Sequence, residues 1–108
     1  MIKAIFYMDS DNHYIGFSVS GHAGFAKSGK DIVCAAVSTL AINTVNSIEN
    51  LTEAKIETQY DDSGTIKLKF KSKSDDKSQL LVSALFLGLT ELYKEYGSKY
   101  LRVYFKEV

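Results

Sequence analysis

Cys34 is the only cysteine in a chain of 108 residues, and His22 stands upstream of it in the run Gly21 to Ser38, G-H-A-G-F-A-K-S-G-K-D-I-V-C-A-A-V-S. A thiol with a histidine of its own is the smallest set that can form a thiolate nucleophile and shuttle its proton. The surrounding residues add to that reading. Gly21 frees the end of a predicted strand, and the small, glycine-bearing loop Ala23 to Lys30 is long enough to fold His22 back over the start of a helix. Cys34 falls in that helix's first turn, where unpaired N–H groups and the positive end of the helix dipole favour a thiolate. The same N–H groups offer a place for a developing oxyanion. Ala35 and Ala36 keep the turn open to a ligand. By residue type alone a plainer reading stands beside this one: a free cysteine is often a small buried hydrophobe, and a histidine after a strand is often a turn residue.

Other chemistries fail on residue type. A cysteine phosphatase loop needs an arginine six residues after its nucleophile, and that position is Leu40. A second cysteine for disulfide exchange is missing, and two histidines with one cysteine cannot close a structural zinc site, so no metal or cofactor is expected. Gly21, Gly24 and Gly29 match neither common phosphate-loop pattern. His13 begins a strand beside a turn and lacks a partner. Thirteen basic against thirteen acidic residues leave a net charge of zero, with no global pull toward nucleic acid or membrane. Lys67, Lys69, Lys71 and Lys73 alternate along one strand and read as a solvated face blunting a sheet edge, so direct nucleic-acid contact is not expected. A lone cysteine suits a reducing compartment, and MIKAIFYM is too short for a leader or a span; the chain is expected to be cytoplasmic.

These residues must be held by elements, and the periodicity supplies them. Ile2, Ala4, Phe6 and Met8 alternate with Ile5 and Tyr7, and after the turn Asp9 to Asn12 the run His13 to Ser20 alternates again with Ile15, Phe17 and Val19 inward. A hairpin is predicted. From Asp31, a good N-cap, to Leu51 the spacing of Val33, Val37, Leu40, Ala41, Thr44, Val45, Ile48 and Leu51 is helical. Residues 54–60 and 65–71 form a second hairpin with Ile66, Leu68 and Phe70 inward. A second helix runs from Asp75 to Tyr96, with Leu81, Ala84, Leu85, Gly88 and Leu92 on one side and Gly97 closing it. Residues 99–106 make a fifth strand. The order ββαββαβ, without linker or proline, predicts one domain over residues 1–108 of the α+β class. It is a two-layer sandwich with a mainly antiparallel mixed sheet and both helices on one face. Tyr93, Tyr96, Tyr100 and Tyr104 leave aromatic surface that a partner subunit could cover.

The pattern Gly21-His22-Ala23, Gly29, Asp31-Ile32-Val33-Cys34-Ala35-Ala36-Val37-Ser38 resembles the signature of the ribosomal-processing cysteine protease (Prp) family, and length and element order fit it over essentially the whole chain. The resemblance implies a small α/β homodimer that removes a short N-terminal extension from a large-subunit ribosomal protein, the one numbered twenty-seven. It implies Cys34 as nucleophile and His22 as general base, then acid. Asp31 has two readings, a cap on the helix or a third member orienting His22. Ser38, one turn below Cys34, either supports the site or packs the helix. Ala23, Gly24, Phe25 and Gly29 belong to a loop expected to gate the substrate, mobile until a peptide orders it. The alternatives are a non-catalytic ribosome-assembly or RNA-associated module, and a thiol-based redox sensor.

Overall fold

Alternating strands and two apolar helical stripes need a sheet with one covered face, and the computed structural model, which describes residues 1–27 and 29–108, has that form. Among the described residues the order is β1 (Ile2–Met8), β2 (Tyr14–Ser20), α1 (Ile32–Leu51), β3 (Ile56–Tyr60), β4 (Ile66–Phe70), α2 (Asp76–Tyr96) and β5 (Leu101–Glu107). The strands lie in the order β3-β4-β2-β1-β5. Hairpin neighbours β1–β2 and β3–β4 are antiparallel, as is β2–β4, whereas β5 joins β1 in parallel. Both helices therefore cross between strands that run the same way, α1 from β2 to β3 and α2 from β4 to β5. The two crossovers start from opposite strand directions and move toward opposite edges, so right-handedness puts both helices on the same face. One core follows, with Phe6, Phe17, Leu68 and Leu101 of the sheet against Val37, Ile48, Val82 and Leu89 of the helices.

Several details differ from the sequence expectation, each for a local reason. Ile15 is not inward: the register slips between Tyr7 and Met8, so that Tyr14 pairs with Met8 and packs on the core instead. The bulge leaves Tyr14 backbone groups unladdered, and Gln79 of α2 fills both, accepting from the Tyr14 N–H and donating to its carbonyl at 2.8 Å each. Leu51, in the last turn of α1, is exposed. On α2 the buried side is Ser78, Val82, Leu85 and Leu89, and Ala84 is exposed. A polar residue can hold the Ser78 position because its hydroxyl donates to Thr52 Oγ1 at 3.0 Å. Finally β4 is an interior strand, flanked by β3 and β2, so its lysines do not blunt an edge. By length and hydropathy α1 could cross a membrane, yet Val33, Val37, Ala41, Val45 and Ile48 along it are buried in this core.

Candidate active site

The site begins with a backbone constraint. Ser20 ends β2 opposite Lys3, so the chain leaves the sheet beside the start of β1. It turns there through Gly21 at φ +87°, and a Cβ at this position would overlap the carbonyl oxygen of Met1. Only glycine meets both demands. His22 follows immediately and is held by this turn at the rim of the sheet, exposed to solvent.

The next residue plunges. Ala23 is 3% exposed, and its N–H donates to Cys34 Sγ at 3.2 Å. Asp31 then ties the loop to the helix. Its Oδ1 accepts from the N–H groups of Val33 and Cys34, both at 3.0 Å, and its Oδ2 accepts from the N–H of Phe25 at 3.0 Å. Phe25 in turn sits edge-on to Tyr96 and Tyr100, with ring centroids 5.5 and 5.1 Å away. In this structure the first half of the loop is thus latched at Ala23, Phe25 and Asp31. Ser28, part of the gating expectation, lies outside the described residues. Tyr96 and Tyr100, grouped in the sequence reading with surface for a partner, instead seat Phe25; no local pattern links residues so far apart in the chain.

His22, Gly24, Ala26, Gly29, Asp31, Cys34, Ala35 and Ser38 line one cleft of about 590 Å3 at the start of α1. The structure therefore brings together His22, Cys34, Asp31, Ser38, Gly24 and Gly29 of the sequence-derived set. Ala23 lies beneath the cleft and Phe25 beside it. Among the described residues no hydrogen bond joins His22 to Cys34, and none joins Asp31 to His22; both carboxylate oxygens of Asp31 are engaged with backbone. His13 lies at the other end of β2, with its N–H donating to Asp9.

Two electrostatic expectations change. The helix end does not lower the Cys34 thiol in the free protein: burial pushes it up, hydrogen bonding to Asp31 and that carboxylate's charge push further, and the Ala23 N–H only partly offsets them. Asp31 itself stays below the ordinary carboxylate range. Burial works against its charge, but the N–H donors of Cys34 and Phe25 outweigh it. Three of the expected oxyanion donors are also already used. Val33 and Cys34 give their N–H groups to the Asp31 side chain, and Ala35 gives its N–H to the Asp31 carbonyl at 3.1 Å.

The sequence and fold that carry this cleft have counterparts among known proteins. The sequence profile of the family described as Cysteine protease Prp matches residues 1–101. The ribosomal processing cysteine protease Prp of Bacillus subtilis is 31% identical over 103 residues, covering 89% of this chain and 90% of that one. The crystal structure of the essential ribosomal processing protease Prp from S. aureus, in complex with a covalently linked product peptide, superposes with a TM-score of 0.92 at 27% identity. That match covers 98% of this chain and 100% of the other. A Streptococcus mutans protein of known structure, SMU.848, is 36% identical with a TM-score of 0.85, covering 100% of this chain and 96% of its own. Sequence profile, relatives and fold agree along nearly the full length, and the chain belongs to the Prp family of cysteine proteases.

Proposed function

We propose that this protease removes the N-terminal extension of the large-subunit ribosomal protein numbered twenty-seven, with Cys34 as nucleophile and His22 as proton carrier. The observation behind this reading is the cleft itself. Both the chain's one thiol and His22 line it, in a fold whose S. aureus relative was solved with a product peptide covalently linked. In the first step His22 takes the thiol proton as Sγ bonds to the scissile carbonyl carbon. The tetrahedral intermediate then collapses, the C–N bond breaks, and His22 returns that proton to the leaving amine. Water attacks the resulting thioester, His22 accepts its proton, and the thiol is regenerated as the N-terminal fragment leaves. Because the N–H groups of Val33, Cys34 and Ala35 are engaged, the loop 23–30, which is the part a substrate would reorder, supplies oxyanion donors. That gives the loop its gating role.

The reading includes a homodimer working in the cytoplasm. Tyr93 and Phe105, 40% and 54% exposed, line a second hollow between α2 and the helix side of edge strand β5 and supply apolar surface for a second copy. Incubating the protein with extended and unextended forms of the ribosomal protein, and reading product masses, tests the function. One defined cut in the extended form, absent in Cys34→Ala, is the expected result. Salt-sensitive RNA binding without any cut would favour the assembly-module reading, and thiol oxidation without a cut the redox sensor.

A further inference from the structure

The sheet has a second face, away from the helices, and its charge is out of proportion to the chain's. Pairing sets its membership. Lys3 lies opposite Ser20 and Arg102, Ser18 opposite Ile5 and Lys67, Lys69 opposite Gly16 and Glu57, and Tyr7 opposite Gly16 and Lys106. At these paired positions the face holds Lys3, Lys67, Lys69, Arg102 and Lys106 against a single acid, Glu57, a net charge of +4. The whole chain sums to zero, so the remaining surface sums to −4. All five cations are exposed. Two tyrosines lie between them. Tyr104 is 38% exposed, and Tyr7 is half-buried with its hydroxyl 3.3 Å from Ser18 Oγ. Tyr7, Ser18, Gln59, Lys67 and Lys69 border a shallow depression of about 530 Å3.

We infer that this open sheet face is a docking surface for single-stranded RNA, separate from the catalytic cleft. Cations two residues apart on a strand stand about 7 Å apart, and β4 and β5, three strand spacings from each other, are separated by about 14 Å. Such a grid suits a phosphate chain crossing the face, with bases laid on the tyrosine rings and hydroxyl and amide groups beside them. A second copy of this chain fits poorly, because a twofold contact would press +4 against +4. An acidic peptide fits less well too, since peptides add to a free strand edge or fill a groove, and β4, β2 and β1 are paired on both sides. The lysines of β4, being interior, have no edge to protect. The face lies across the sheet from α1, so RNA bound there leaves the cleft open to a peptide.

The test uses the full chain and a fluorescein-labelled twelve-nucleotide oligouridylate in an anisotropy titration. Neutralising four or five phosphates predicts that affinity falls about 50- to 130-fold between 50 and 200 mM salt. Lys67→Gln with Lys69→Gln is expected to weaken binding at least tenfold at 50 mM salt and to flatten the log–log salt slope by about 1.4. Cleavage of a short peptide by that variant should stay at the wild-type rate, which also shows that it folds. Cys34→Ala should bind RNA like the wild type, so loss of the protease reading would leave this one standing. The charge-matched control Lys77→Gln with Lys94→Gln, on α2, should bind unchanged. Absence of binding at 50 mM salt overturns the proposal, as does an equal loss in the control. So does a shift in oligomeric state by the β4 variant with RNA affinity intact, which would make the face an interface between copies.

Discussion

Replacing Gly21 with alanine isolates the constraint that places His22. Two costs act at once. The backbone sits at φ +87°, where an L-residue loses about 1–2 kcal/mol. The added Cβ also overlaps the Met1 carbonyl, a backbone atom immediately before β1. Overpacking of that kind costs about 1–3 kcal/mol. Together the loss is about 3–4 kcal/mol. Gly64 is the comparator, because it has φ +88° in the β3–β4 turn and a Cβ there would meet nothing within 4 Å. Gly64→Ala therefore bears only the backbone cost, partly offset by a stiffer unfolded chain, and should lose about 1 kcal/mol. At about 4–5 °C per kcal/mol for a domain of this size, Gly21→Ala should melt about 15 °C below wild type and Gly64→Ala about 5 °C below. Scanning calorimetry reads both. Peptide cleavage at 10 °C, where both variants are folded, should fall further in Gly21→Ala because His22 moves with its neighbour. Equal melting temperatures would refute the claim that the chain is pressed against β1 at this turn.

Cys34→Ala should abolish cleavage while costing about 1 kcal/mol or less by urea unfolding, since a half-buried side chain at a cleft wall leaves little cavity. Iodoacetamide labelling of the free protein should have its midpoint above the ordinary thiol range, and Asp31→Asn should move that midpoint down. Because the folded Asp31 carboxyl lies below its unfolded value of about 3.9, its contribution to stability is complete above that pH and is lost as pH falls through the folded value. Urea midpoints at pH 6 and pH 3 should therefore differ less in Asp31→Asn than in wild type. Phe25→Ala removes the contact with Tyr96 and Tyr100 and should raise amide exchange at residues 23–27 without changing exchange in β1.

What was legible in the chain follows the range of the forces involved. Strand and helix positions rest on periods of two and 3.6, so Phe17, Ile66, Val37 and their neighbours could be placed from their own segments. The N-cap at Asp31 is equally local. The parallel docking of β5 on β1 depends on which edge a crossover reaches, and nothing within residues 99–106 encodes that. The slip at Tyr7 and Met8 that turns Ile15 outward is stabilised by Gln79, far along the chain. Alternation of lysines on β4 was visible, but their meaning changed once strand order made β4 interior. The direction in which the thiol is shifted lies beyond a local reading for a similar reason. The helix end acts at short range and is visible in sequence, whereas the burial and the Asp31 proximity that outweigh it arise only when the loop folds down.

That last reversal bears on how the enzyme would be activated. A cysteine protease can keep a standing thiolate–imidazolium pair, or it can hold a thiol and ionise it during attack. Here the resting site favours the thiol: Cys34 is raised by burial and by Asp31, and its sulfur accepts one N–H, from Ala23. Asp31 cannot be removed to correct this, because the same carboxylate holds the first turn of α1 through Oδ1 and the loop through Oδ2. The useful consequence is coupling. A peptide that lifts Phe25 off Tyr96 and Tyr100 breaks the bond to Oδ2 and opens the same loop that carries Ala23 and His22, so the groups that set the sulfur's protonation move with the substrate. On the proposed mechanism the free protease is then weakly nucleophilic, and proton transfer to His22 occurs with a peptide in place. A decisive comparison is labelling of Cys34 with and without an uncleavable substrate peptide, using a small neutral alkylating agent. Coupling requires the midpoint to fall when the peptide binds; an unchanged midpoint would mean that the thiol and the loop are independent.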